Sequence, residues 1–119
     1  MSVERIVTAH IEAWNAPSGP ARQESIANVY TTDVFVGEPD GRLTGHAGVE
    51  QAITTLQAQL AGMSISRSGP LREAQDLVTY PWTVGADGGP TIVSGHDVLI
   101  IRDGKVSRLY VLIDSEDSR

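Results

Sequence analysis

Apolar and polar positions follow two rhythms along this chain, and the change between them separates a helical first half from a β second half. Val3, Ile6, Val7, His10, Ala13 and Trp14 recur at steps of three or one, which puts them on one stripe of a 3.6-residue helix. Asn15-Ala16-Pro17-Ser18-Gly19-Pro20 ends that helix, because proline lacks the N–H needed to continue the ladder. A second helix is predicted from Ala21 to Tyr30 with Pro20 in its first turn, its apolar edge formed by Ile26, Val29 and Tyr30. A short strand from Val34 to Glu38 then stops at the turn Pro39-Asp40-Gly41. The third helix begins near His46, buries a face of Val49, Ile53, Leu56 and Leu60, and is terminated by Gly62.

From Met63 the period shortens to two. Met63 to Ser68 alternates as a half-buried strand does, Gly69-Pro70 interrupts, and Leu71 to Val84 reads as one further strand. Pro81 inside it calls for a bulge or an edge position. Asp87-Gly88-Gly89-Pro90 and Asp103-Gly104 are hairpin turns, so Thr91 to Ile101 and Lys105 to Ile113 are the last two strands, followed by a polar tail over 114–119. Three helices before an antiparallel meander predict an α+β domain whose long strands curl and whose helices cover the concave face. A sheet curled in this way makes a cone, and the open end of a cone is a natural pocket for a small molecule.

Composition narrows the possible functions. At 119 residues the chain is expected to form a single domain over 1–119. Nine basic against fifteen acidic residues give a net charge of −6, with no cluster of Lys or Arg, which argues against nucleic acid as a partner. The absence of cysteine removes disulfides, thiol nucleophiles and thiolate metal sites. The longest aliphatic run, Val98 to Ile101, is far short of the roughly 20 residues of a membrane span. Met1 leads into Ser2-Val3-Glu4-Arg5 without an apolar stretch, so a cytoplasmic location is expected. His10, His46 and His96 show no metal-ligand spacing, and no phosphate-binding glycine loop or nucleophile elbow occurs; neither a metal nor a cofactor is expected.

The informative residues are polar groups at positions that should be buried, because burying an ionisable group without partners costs several kcal/mol. His10 lies in the middle of the first helix's apolar stripe, either as a packed residue bonded to a carbonyl or as an acid–base group facing the cone. In the strand from Thr91, Val93, Gly95, Asp97, Leu99 and Ile101 share the more apolar face, so Asp97 should point inward. There it is either a neutral acid able to donate a hydrogen bond or an ion paired with an arginine such as Arg67, Arg72 or Arg108. Glu38 shares a face with Val34 and Val36, and is either an exposed turn residue or a third member of the same group. Tyr80 and Trp82, with Trp14 and Leu99, are the candidate substrate-binding wall.

These residues also carry a family resemblance. Ala13-Trp14-Asn15, Val29-Tyr30, Thr32-Asp33-Val34, Gly37-Glu38-Pro39, Gly45-His46-Ala47-Gly48-Val49, Gly95-His96-Asp97-Val98 and Asp103-Gly104-Lys105-Val106 occur in the order seen in SnoaL-like proteins. That branch belongs to the nuclear transport factor 2-like superfamily, and the resemblance extends from about Val3 to Asp114. It implies a cone-shaped, cystatin-like half-barrel with three N-terminal helices on a curved, mainly antiparallel sheet. Members include ketosteroid isomerases, polyketide cyclases, dehydratases, epoxide hydrolases and binding modules without activity, so fold alone does not fix function.

Set beside ketosteroid isomerase, Glu38 before Pro39 matches the carboxylate base, Asp97 the protonated aspartic acid, and His10 the position of a tyrosine donor. Glutamate stands where that family has aspartate, and histidine where it has tyrosine. The resemblance implies a cofactor-independent enzyme of isomerase, cyclase or dehydratase type acting on a small hydrophobic carbonyl compound. Glu38 would take a proton, while Asp97 and His10 would donate to the developing enolate oxygen. The alternative is a ligand-binding or dimerisation module of the same fold. The resemblance further implies a homodimer through the outer sheet face, where Val98, Ile100, Val106, Tyr110 and Leu112 are expected.

Overall fold

The side-chain hydroxyl of Ser2 accepts a hydrogen bond from the Arg5 amide and caps the first helix, α1 (Val3–Asn15). Its buried residues are Ile6, Val7, His10, Ala13 and Trp14, the stripe read from the sequence. The structure, a computed structural model, describes residues 2–116, with side chains through Asp114. Gly19, at φ +138°, turns the chain into α2 (Pro20–Val29), whose first helical residue is proline. On α2 the buried positions are Arg22, Ile26 and Val29, and Tyr30 has left the helix to begin β1 (Tyr30–Glu38).

β1 is longer than the five residues expected, and it returns through Pro39-Asp40 into a strand that the sequence reading missed, β2 (Gly41–Thr44). The third helix, α3 (Gly45–Gln59), packs Gly48, Val49, Ala52 and Ile53 into the core. Leu56 and Leu60 extend that stripe beyond the core to the lip of a cavity. Gly62 just beyond is left-handed, at φ +81°.

The remaining strands are β3 (Ser64–Arg67), β4 (Arg72–Ala74), β5 (Leu77–Gly85), β6 (Thr91–Arg102) and β7 (Lys105–Glu116). They form one open sheet in the order β2-β1-β7-β6-β5-β3, with β4 also paired to β5. Among the described residues only the β1–β7 pair is parallel. The curved, mainly antiparallel α+β architecture is therefore as expected. The strand predicted over Leu71–Val84 is instead two strands, β4 and β5, separated by a turn in which Gln75 takes φ +57°. β7 runs on through Glu116, three residues past its expected end, and 117–119 lie outside the described residues.

Pro81 sits within the sheet, opposite His96 of β6. Its carbonyl accepts from the Ser68 amide, so its nitrogen faces the same side, where the partner strand breaks between β3 and β4. The missing N–H thus falls at a gap in the ladder and leaves no partner orphaned.

Two irregularities shape the sheet. On β7 the register shifts between the partners of Ile100 and Ile101, leaving Ser107 as an extra residue whose hydroxyl donates to the Ile100 carbonyl. An extra residue inverts the alternation. Val106, expected on the outer face, is consequently turned inward and fully buried beside Tyr30. The second shift, at Gly95, brings strands and side chains unusually close. A Cβ there would fall 2.0 Å from the Leu112 carbonyl oxygen and 2.5 Å from Trp82 Cζ2, so only glycine lets the Trp82 ring lie across β6.

Candidate functional site

The inward faces of β5 and β6 converge with α1 around a small polar centre in an otherwise apolar interior. His10 is 2% exposed and Asp97 8% exposed. His10 Nε2 lies 3.0 Å from Asp97 Oδ2, and the Tyr80 hydroxyl donates to the same oxygen at 2.7 Å. On the other side of the imidazole, Nδ1 is hydrogen-bonded to the Tyr30 hydroxyl, which also accepts from Trp14 Nε1 at 2.9 Å. The rings of Trp14, Tyr30 and Tyr80 surround His10, with centroids 5.9, 5.8 and 6.4 Å away.

Donor and acceptor accounting fixes the direction of this chain. An indole nitrogen can only donate, so the Tyr30 oxygen accepts from Trp14. Burial pushes the Tyr30 hydroxyl far above the ordinary phenol range, with the Trp14 bond opposing and the Asp97 charge adding to the rise. Tyr30 therefore keeps its proton and donates it to His10 Nδ1. That leaves His10 protonated on Nε2, which donates to Asp97 Oδ2. Burial, reinforced by the Asp97 charge and hydrogen bond, also raises the Tyr80 hydroxyl far above its usual range, so it too remains a donor. Asp97 Oδ2 thus accepts twice, and Oδ1 is left without a protein partner among the described residues.

Asp97 forms part of the wall of a cavity of about 460 Å³, within the usual size range of small-molecule sites. His10, Trp14, Glu38 and Trp82 line the same cavity, so the three ionisable residues singled out from sequence share one space. The remainder of the wall is mostly aliphatic, from Ile11 and Leu56 to Val84, Val93 and Val111. Glu38 is half-buried at the end of β1, beside Pro39 and Asp40. Desolvation, with the Asp40 charge as a second cause, pushes its carboxyl above the usual glutamate range.

The structure places the expected site residues in different surroundings. Both ring nitrogens of His10 are hydrogen-bonded within the protein, to Tyr30 and to Asp97. The partner of Asp97 is this histidine with Tyr80, not an arginine. Tyr80 lies outside the cavity wall because its hydroxyl is drawn to Asp97 from behind. Leu99 is fully buried in the core, one inward position beyond Asp97 and away from the wall. Trp14 and Trp82 do line the cavity, and the Trp82 indole N–H is buried without an acceptor.

The sequence reading missed Tyr30, placed there only on a helix edge. Its signal was a hydroxyl at the apolar spacing of Ile26 and Val29, which burial obliges to find partners. Arg22 was missed at the same spacing. It is 1% exposed and donates to the Ala16 carbonyl, Thr54, Gln57 and Glu50, tying the end of α1 to α3. Among the described residues no group of three His, Asp or Glu side chains is placed to hold a metal ion, and no helix is long and apolar enough to cross a membrane.

Solved structures share this architecture. A candidate isomerase of the SnoaL-like family from Agrobacterium tumefaciens superposes with a TM-score of 0.86 at 16% identity, over 94% of this chain and 97% of that one. A candidate polyketide cyclase from Sinorhizobium meliloti gives 0.73 at 15% identity, over 90% and 93%. A protein with a cystatin-like fold from Xanthomonas campestris gives 0.73 at 21% identity, over 98% and 93%. At these identities the likeness is one of fold. No curated protein matches the chain. The sequence itself matches the SnoaL-like domain model over residues 7–109, from within α1 to the middle of β7, and the chain therefore belongs to the SnoaL-like family.

Proposed function

We propose that this protein is a cofactor-independent acid–base catalyst acting on a small hydrophobic carbonyl compound. The observation that carries the reading is the sharing of one apolar cavity by Glu38 and Asp97, the latter held by two donors on one oxygen. Glu38, whose carboxyl is raised by desolvation and by Asp40, is suited to take a proton from the carbon next to the carbonyl. The carbonyl oxygen, gaining charge as the enolate forms, rests against Asp97 Oδ1, where a proton taken up while Oδ2 keeps its two donors would be donated to it. Glu38 then returns the proton to another carbon, or the enolate carbon adds to a second carbonyl of the substrate, whose C=O π bond opens to an alkoxide that takes the proton back from Glu38. The neighbours of like fold described as a candidate isomerase and a candidate polyketide cyclase are consistent with both outcomes.

The test is a panel of small ketones, lactones and cyclisable diketones, screened first for thermal stabilisation of the full chain and then for turnover. Glu38→Gln should bind the same compounds and lose about 10²–10⁴ in rate. Glu38 must be ionised to act as the base, so wild-type turnover should fall as pH drops through a value above the ordinary glutamate range. That acid limb should be absent from any residual rate of Glu38→Gln. Equal turnover by the variant overturns the reading. It would favour the competing one, a binding module in which the His10–Asp97 network is purely architectural, for which the commitment of both His10 nitrogens speaks.

A homodimer through the outer sheet face is part of this proposal. Leu112 is 51% exposed there, and partly buried Phe35, Val98, Ile100 and Tyr110 also lie on that face. Sedimentation should give twice the chain mass at micromolar concentration, and Leu112→Lys should shift it to monomer. Monomer alone for the unaltered chain excludes the dimer.

A further inference from the structure

We infer that the cavity admits uncharged molecules and excludes anions, so the substrate reaches it with no free carboxylate or phosphate. The inference rests on the proposed reading of the cavity as the ligand site, and names the class of ligand. It comes from what the wall contains. Its acidic side chains are Glu38, Asp40 and Asp97, and among the described residues no Lys or Arg lines it. His10, which also lines it, has both ring nitrogens engaged, by Tyr30 and by Asp97. Arg67 is felt at Tyr80, but its guanidinium turns to Glu4 at 3.8 Å and to the Gly69 carbonyl at 3.4 Å, outside the wall.

An anion entering this space would lose its hydration with no cation among the described wall residues to replace it. It would also meet negative charge at the Glu38–Asp40 end. The same repulsion between those two carboxyls contributes to the raised Glu38 titration. The net charge of −6 adds a long-range field of the same sign. What the wall offers instead suits neutral oxygens. Asp97 presents an oxygen without a protein partner among the described residues, and most of the remaining wall is aliphatic. A neutral hydroxyl can donate to that oxygen and a neutral carbonyl can lie along the aliphatic wall, whereas a carboxylate adds charge that nothing there balances.

The experiment compares matched probes on the full chain at pH 7.5 by calorimetry: methyl 2-naphthoate against 2-naphthoate, and the corresponding one-ring and three-ring pairs. At least one ester should bind, and its carboxylate at least tenfold more weakly. In Glu38→Gln/Asp40→Asn the ester should bind within twofold of its original affinity, while the carboxylate gains at least threefold. A carboxylate that binds the unaltered protein as tightly as its ester overturns the inference and leaves the acid–base reading standing. A preference that persists at full size in the double variant overturns its electrostatic basis. Failure of every pair to bind overturns the ligand-site reading beneath it as well.

Discussion

Asp97→Asn is expected to keep the fold and to lower turnover by about 10²–10⁴-fold. The asparagine carbonyl can occupy the place of Oδ2 and accept from the same two donors, His10 Nε2 and the Tyr80 hydroxyl. Shape and buried hydrogen bonds are thus retained. What changes is the atom without a protein partner, where an amide N–H, a far weaker acid and hydrogen-bond donor, replaces a carboxyl oxygen that can take up and give a proton. Unfolding in urea should therefore move by no more than about 1 kcal/mol, because no buried donor is left unmatched. Turnover on a compound from the ketone and lactone panel is the decisive measurement. A variant that works at the original rate removes Asp97 from the chemistry.

His10→Phe is expected to act in the opposite way, with its larger effect on stability. The substituted ring can still pack among Trp14, Tyr30 and Tyr80. However, the Tyr30 hydroxyl loses its acceptor and Asp97 loses one of its two donors, and both groups are buried. Leaving buried polar groups unmatched in this way should cost about 2–4 kcal/mol, read by urea unfolding. If histidine acts by orienting Asp97, any remaining activity should show a reduced kcat with a nearly unchanged KM. A stability equal to that of the unaltered protein would mean that the His10 hydrogen bonds contribute little.

Much of this arrangement was legible in the sequence, for identifiable reasons. The stripe from Val3 to Trp14 and the alternation from Val93 to Ile101 are local patterns, and each placed its ionisable residue on the buried side. Burial of His10 and Asp97 followed from neighbours a few positions away. Their partners did not. Tyr30 and Tyr80 reach the centre from two strands that are brought together only by the complete sheet, and nothing in the spacing of 10, 30, 80 and 97 announces that meeting. The resemblance placed Glu38, His10 and Asp97 together, but it suggested an imidazole free to donate. The bond from Tyr30 to Nδ1 is what removes that freedom.

Register was the other limit. Strict alternation would put Val106 on the outer face with Tyr110 and Leu112, and one inserted residue, Ser107, breaks that alternation. β2 escaped notice because four residues beside a Pro-Asp-Gly turn carry too little pattern to stand apart from a loop. Leu99 was placed on the correct face, yet alternation says nothing about depth along the cone. It lies in the packed interior, whereas Asp97 borders the open space.

The chain contains two tryptophans, Trp14 and Trp82, and both belong to the cavity wall. Its indole emission consequently originates beside this cavity, with no distant indole to dilute the signal. Occupancy can be followed by quenching or by a wavelength shift in unlabelled protein, making the molecule its own optical reporter.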